Sequence, residues 1–351
     1  MPSIESFAPR LLTWFDQHGR HDLPWQHPRS AYRVWLSEIM LQQTQVQSVI
    51  PYFQRFIDAL PSLPALAAAS SDEVMALWSG LGYYARARNL HASAKHCMEH
   101  HGGSLPEDFD ALMALPGIGR STAGAILSQA CGLPFPILDG NVKRVLTRWH
   151  GIAGWPGTPA VERPLWQLAQ SLLPQQRLPD YTQALMDLGA TVCTRTNPAC
   201  LLCPINVDCV AQRDNRTTEL PTPKPGKAIP RRECAMLMAF DEQGRVLLQK
   251  REGRGVWNGL WSLPEAPDAD ALDIFIQQHL HTSESASVLP SFEHVFSHYR
   301  LTIHPHRRDR VRQRPHVADN GPMLRWAAPD EWPDVGLPAP VRKLLASQRP
   351  H

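Results

Sequence analysis

Over residues 30–45 the apolar side chains of Tyr32, Trp35, Leu36, Ile39 and Met40 recur at i, i+3, i+4, i+7 and i+8, the stripe of an amphipathic helix. Similar spacing returns over 74–81, 109–115, 122–130, 142–149 and 165–172, and no alternating run of comparable clarity competes between Ile4 and Asp214. The first part of the chain is therefore predicted to be helical. Residues 217–230, TTELPTPKPGKAIP, contain four prolines and no hydrophobic period, which describes a semi-rigid extended linker. Beyond it the texture changes. Short apolar runs at 235–240 and 245–251 flank the turn signal DEQG and predict a β-hairpin. Further strands are expected over 288–296 and 299–304, and helices over 269–281 and 339–347. No repeat of fixed period occurs, and this half reads as α+β.

Length agrees with two domains, since 351 residues exceed what one unit of roughly 150 would use. With 43% hydrophobic and 19% charged residues the chain can bury real cores, and its 33 prolines belong in loops, helix starts and linkers. The formal net charge of +2 removes the simplest argument for a polyanion or membrane partner. Residues 1–225 hold 18 Lys+Arg and 18 Asp+Glu, and residues 226–351 hold 17 and 15, so any affinity for phosphate must come from local placement. Arg120, Lys143, Arg144 and Arg148 form one such cluster, and Arg195, Arg213, Arg216 and Lys224 another. Arg307, Arg308, Arg310, Arg312 and Arg314 read first as a solvated loop and second as a supplementary polyanion contact. The amino terminus lacks the basic start, apolar stretch and cleavage site of an export signal, and no run of 18 apolar residues occurs. A cytoplasmic address of bacterial type and no membrane partner are expected.

Seven cysteines in such a chain argue against a disulfide framework and for a metal or cluster site. Cys193, Cys200, Cys203 and Cys209 follow the order C-x6-C-x2-C-x5-C, close enough to converge on one centre. Structural zinc sites pair two close couples across a spacer, and only the middle couple fits that rule. A four-thiolate iron–sulfur cluster tolerates uneven spacing, and both readings stay open here. Cys97, Cys131 and Cys234 read as small buried apolar residues. In LPGIGRSTA at 115–123, Gly117 and Gly119 make a tight connection between two helical segments. It is either a simple corner or a place where bare backbone amides and a helix N-terminus meet a phosphate.

Taken together, the hairpin and the cysteine loop, with LPW at 23–25, VWLSEIMLQQTQV at 34–46, WSGLGYYARARNL at 78–90, LPGIGRSTAGAI at 115–126 and FPILDGNVKRV at 135–145, closely resemble the endonuclease III superfamily of helix-hairpin-helix DNA glycosylases. Within it they resemble the MutY family of adenine DNA glycosylases. The resemblance implies an all-α helix-hairpin-helix glycosylase domain over 1–216 with one [4Fe–4S] cluster on the loop 193–209, the linker 217–230, and a Nudix-like 8-oxoguanine-recognition domain over 231–351. It implies double-stranded DNA carrying A opposite 8-oxoguanine or G as partner, action at the nucleoid, and a monomer. Glu38 matches the glutamate that protonates adenine and helps activate water. Asp139, also placed to cap a helix, matches the aspartate that stabilises the sugar cation. Asn141 matches an active-site polar residue. Gln43, beside Thr44, and Tyr83 stand where the family inserts side chains beside the mismatch. Ser121 stands where bifunctional relatives carry the lysine that forms a Schiff base, so hydrolysis without strand cleavage is expected. Lys143 is expected first as a phosphate contact.

The segment 257–265, WNGLWSLPE, resembles the G-L-W-x-x-P stretch of Nudix hydrolases, but APDADALDIFIQQHL follows in place of a magnesium-binding acid cluster. A recognition fold without hydrolysis is expected. Phe296, Ser297 and His298 match a loop that meets 8-oxoguanine, with Ser297 able to bond the oxidised base edge. The competing functions are a bifunctional pyrimidine-lesion glycosylase and lyase, a non-catalytic DNA-binding iron–sulfur protein, and a Nudix pyrophosphohydrolase.

Overall fold

The computed structural model describes residues 2–226, 228–253, 255–282, 287–315 and 322–348. Two compact units arise: residues 1–67 with 92–226, and residues 68–91 with 227–351. The helices of the first part are α1 (Ile4–His18), α2 (Ala31–Leu41), α3 (Val46–Ala59), α4 (Leu63–Ala68), α5 (Ser71–Trp78), α6 (Ala85–His100), α7 (Phe109–Ala114), α8 (Arg120–Cys131), α9 (Gly140–His150), α10 (Pro159–Ser171), α11 (Leu178–Asp187) and α12 (Val210–Arg213).

Their boundaries follow local chemistry. Ser30 caps α2 by accepting the Arg33 amide, and Asp108 caps α7 through Ala111. The helix α2 stops at Leu41, short of the sequence expectation, because Gln43 turns into the left-handed region at φ 59°. The first unit is built around Phe7, Leu11, Trp149, Leu165 and Tyr181. Within it α8 is buried along most of its length, and α2 and α11 pack on it. Gly124 makes this possible: a Cβ there would lie 2.3 Å from the Pro136 carbonyl, so only glycine lets residues 133–138 run back along the helix. A π-helical turn, Leu188–Val192, extends α11 into Cys193. Below it the buried Asp187 carboxylate accepts from the Arg20 amide and guanidinium at 2.6–2.9 Å.

The second unit carries β1 (Arg231–Ala239), β2 (Val246–Lys250), β3 (Trp261–Ser262), β4 (Glu265–Ala266), α13 (Ala269–His279), β5 (Leu280–His281), β6 (Ser287–Val288), β7 (Phe292–Val295), β8 (Arg300–Arg308), β9 (Arg312–Gln313), β10 (Leu324–Ala327) and α14 (Ala339–Ala346). In its main sheet β1 runs parallel to β8, with Cys234 opposite Ile303, and antiparallel to β4; β6 and β7 pair with β8. A second sheet has the order β10-β2-β3.

Two sequence expectations need correction. Residues 235–251 form the expected turn, with Asp241 Oδ1 accepting from Gln243 and Arg245, but a single Phe240–Val246 bridge joins its arms. Both edges of β1 are already taken by β4 and β8, so β2 leaves for the second sheet. The arginine-rich stretch is not a solvated loop. Arg307 and Arg308 end β8, Arg312 begins β9, and Arg307, Arg308 and Arg312 pair with Asp309, Asp273 and Glu242. Strand pairing consumes the backbone that a mobile loop would leave free. Residues 68–91 group with residues 227–351. Asp72 binds Lys250 and accepts the Trp261 indole N–H, and Ser79 donates to the Leu337 carbonyl at 2.9 Å.

Candidate active site

Three elements bring the carboxyls of Glu38 and Asp139 near enough for the charge of one to act on the other. Glu38 leaves α2 off its core stripe, α8 packs alongside, and the segment after α8 delivers Asp139 to the start of α9. Gln129 on α8 donates to Glu38 Oε1 at 3.2 Å. Asp139 caps α9, its Oδ1 accepting the Val142 amide at 2.8 Å. Ser121 Oγ accepts the Leu138 amide at 3.0 Å, which fixes the residue just before Asp139. Burial, and after it the negative charge of Asp139, lifts the Glu38 carboxyl to about 8. Burial also raises Asp139, but the Val142 amide and the Arg144 charge oppose the rise. The arrangement gives one carboxyl a strongly raised proton affinity and holds the other by a backbone amide, and acid catalysis of glycosidic cleavage calls for two carboxyls with distinct roles.

Asn141 lies in the first turn of α9, with Oδ1 accepting from Arg144 at 2.8 Å. Arg144 also donates to the Gly189 and Cys193 carbonyls. Lys143 is ion-paired to Glu162 at 2.6 Å rather than free. The α7–α8 hairpin places Gly117 at φ 80° and leaves Gly119 exposed at the N-cap of α8 with no side-chain cap, so the amides of the first turn face outward. Beside it Arg120 lies 4.1 Å over the Trp166 ring, on an open groove shared with Ser121, Lys143 and Arg163. Gln43 is exposed, and the Thr44 amide closes the turn after α2 by donating a hydrogen bond to Leu41 O at 3.1 Å. Tyr83, in the other unit, has φ 49° and is 46% exposed. Gln43 and Tyr83 thus share, with Arg177, Asn215 and Arg310, a left-handed backbone state that non-glycine residues seldom adopt.

Residues 36–171 match the HhH-GPD superfamily base excision DNA repair proteins, and residues 235–347 match the NUDIX domain. The chain is 36% identical to the adenine DNA glycosylase of Buchnera aphidicola subsp. Acyrthosiphon pisum over 97% of its own length and 96% of that protein's. It is 33% identical to the Homo sapiens adenine DNA glycosylase over 97% of its length and 74% of that protein's. The chain belongs to the adenine DNA glycosylase family. Among solved structures, a thermostable thymine-DNA glycosylase matches with TM-score 0.55 and 27% identity, covering 60% of this chain and 97% of the other. An endonuclease III–DNA complex matches in fold with TM-score 0.52 and 21% identity, over 61% and 99%.

In this adenine glycosylase, Cys193, Cys200, Cys203 and Cys209 line one cavity together with Arg148, Trp149 and Ile205. Among the described residues no group of three or more His, Cys, Asp or Glu is arranged to hold a metal ion. Arg148, only 3% exposed, donates to Cys193 Sγ at 3.4 Å and to the carbonyls of Thr194, Arg195 and Leu220. Arg144 and Arg148 therefore brace the cysteine loop and are not part of a surface cluster. Arg213 and Arg216 remain on the surface, paired with Asp214 and Glu219.

In the NUDIX-matching region, Ser297 and His298 are exposed at the β7–β8 turn, with Ser297 Oγ 3.4 Å from His298 Nδ1. Aromatic rings back them: Phe296 stacks on Tyr299 at 4.6 Å, Trp257 lies 5.5 Å from Phe296, and Arg232 covers Tyr299. Of the acids after WNGLW, Asp268 caps α13 and Asp273 pairs with Arg308. Sequence reasoning missed Gln129, Glu162 and the bracing role of Arg144 and Arg148. The spacing of Arg144 and Arg148, one helical turn apart, was the available signal for a shared inward face.

Proposed function

We propose that this adenine glycosylase acts on duplex DNA, flips adenine out from opposite 8-oxoguanine or G, and removes it hydrolytically, leaving an abasic site. The observation that carries the reading is the Glu38 carboxyl, lifted to about 8 beside the hydrogen-bonded Asp139. Glu38 protonates the departing base and, once ionised, activates water on the sugar. Asp139 supplies negative charge to the oxocarbenium-like sugar as the bond lengthens. Asn141 and Arg144 keep the start of α9 in place. Flipping takes a few kcal/mol, which Gln43 and Tyr83 offset by filling the vacated stack. The outward amides of α8 and Gly117 hold a backbone phosphate, and Thr44 supports the Gln43 turn. Lys143 reaches a phosphate when it exchanges Glu162 for DNA. Ser121 anchors the backbone before Asp139 and carries no amine, so strand cleavage of the endonuclease III type is not expected.

The four cysteines suit one [4Fe–4S] cluster. Four thiolates on a single zinc would gather within about 4 Å of one another, whereas a cluster spreads its ligands over several irons and fills a shared cavity. When bound, the cluster supplies a fixed core that orders the loop 193–209. The Ser297–His298 turn, on its aromatic support, reads the oxidised base within a domain spanning 231–351, while 1–216 supplies the chemistry; the protein works as a monomer in the cytoplasm, at the nucleoid.

The test is incubation with duplexes carrying A opposite 8-oxoguanine, A opposite G, and thymine glycol opposite A, scored with and without alkali. Adenine release from the first two, with breaks only after alkali, is expected. Breaks without alkali on the thymine glycol duplex and no adenine release would overturn the proposal. Anaerobically purified protein should absorb broadly near roughly 400 nm; colourless protein with stoichiometric zinc would refute the cluster.

A further inference from the structure

The second unit joins two features that lie far apart in sequence. Its residues 68–91 carry Tyr83, the wedge of the proposed function, and its residues 227–351 carry the Ser297–His298 turn. The aromatic support of that turn continues inward. Trp257, buried, touches the lesion loop with its ring, 5.5 Å from Phe296 and 6.2 Å from His294. The next residue, Asn258, presents its carbonyl to Arg88, whose Nη1 donates to it at 2.5 Å. Arg88 lies on α6 one turn beyond Tyr84, and its own amide bonds Tyr84 O at 3.2 Å. The preceding turn is held tightly as well. Arg86 donates to the Leu81 and Gly82 carbonyls and covers the Tyr83 ring at 5.2 Å. Ser79 and Tyr84 both donate to the Leu337 carbonyl, and Arg342 donates to Ser79.

We propose that Arg88 is a positioning residue that couples the lesion-reading turn to the wedge: contact of the oxidised base with the 296–298 turn is transmitted through Trp257 and the Asn258 carbonyl to the register of α6 and so to Tyr83. The proposal rests on the reading of Tyr83 as wedge and of the 296–298 turn as lesion contact. Its physical content is a continuous run of packed rings and one charge-assisted hydrogen bond, each rigid enough to pass on a small displacement. Arg88, bonded to the Asn258 carbonyl, lies between the two ends of this path, so it governs how strongly one site responds to the other.

The test measures single-turnover adenine excision opposite 8-oxoguanine and opposite G, with 2-aminopurine fluorescence at the target reporting flipping, for wild type, Arg88→Ala, Arg88→Lys, Ser297→Ala and the Arg88→Ala/Ser297→Ala double variant. Arg88→Ala should lower the preference for the 8-oxoguanine duplex about tenfold while changing the rate opposite G less than about twofold. Its effect should not add to that of Ser297→Ala. Arg88→Lys, which can still donate to Asn258 O, should restore most of the preference and shows that loss in the alanine variant is not misfolding. Equal slowing on both duplexes, or additive effects in the double variant, would overturn the coupling while leaving the proposed function standing. A wild-type protein with no preference for 8-oxoguanine would instead overturn the reading beneath it.

Discussion

Glu38 shows how one side chain trades stability for chemistry. Its carboxyl ionises near 4.5 in an unfolded chain and at about 8 in the fold, so the native state holds a proton that the unfolded state releases between those values. Folding stability contributed by this group is therefore lost as pH rises from about 4.5 to about 8. Glu38→Gln should stabilise the protein by about 2 kcal/mol at pH 9, a gain that shrinks toward zero near pH 4.5. Urea unfolding across pH checks it. The same substitution should lower adenine excision by at least about 10³-fold, since no proton can be delivered. In the native enzyme kcat/KM should fall as pH rises through about 8, where Glu38 loses its proton. It should also fall on the acid side, above the usual aspartate range, as Asp139 is neutralised. A flat profile from pH 5 to 9 would contradict these roles. Helical spacing marked Glu38 as lying off the core stripe, and resemblance supplied its role. Gln129, its hydrogen-bond partner, lies 91 positions away and left no local trace.

Among the elements, α8 is the one on which the placement of the two carboxyls depends. Gly124→Ala would drive a methyl group into the Pro136 carbonyl, so a destabilisation of about 2–3 kcal/mol and a displaced Asp139 are expected. Thermal unfolding checks the first, and loss of excision with retained DNA binding checks the second. Arg148 has the matching role for the cysteine loop. Arg148→Ala leaves the Thr194, Arg195 and Leu220 carbonyls without their donor and should destabilise by about 3 kcal/mol. The ratio of the absorbance near roughly 400 nm to that of protein should drop, and limited proteolysis should cut within 193–209. The helices were legible because each needs only its own periodicity and caps. The β1–β2 hairpin was misread because pairing depends on which edges other strands occupy, and β8 lies some sixty residues downstream of β1.

For the whole molecule the net charge of +2 conceals where cations are committed. Arg144 and Arg148 brace carbonyls, Lys143 is paired with Glu162, and much of the 307–314 arginine set is paired within the NUDIX-matching region. If these cations keep their partners within the protein when DNA binds, binding should depend only modestly on salt, with a log–log slope of about −3 to −4. Binding of the Glu38→Gln protein to an intact duplex across ionic strength measures this, and a slope near −8 would show that the paired cations are released on DNA. By itself the sequence determined the helical first part and the α+β second part, because periodicity and short motifs are local properties. Only the tertiary structure decided that residues 68–91 group with residues 227–351, that Glu38 and Asp139 are buried and act on each other's ionisation, and which arginines face inward. Those outcomes depend on desolvation and on contacts between segments distant along the chain, which no local pattern encodes.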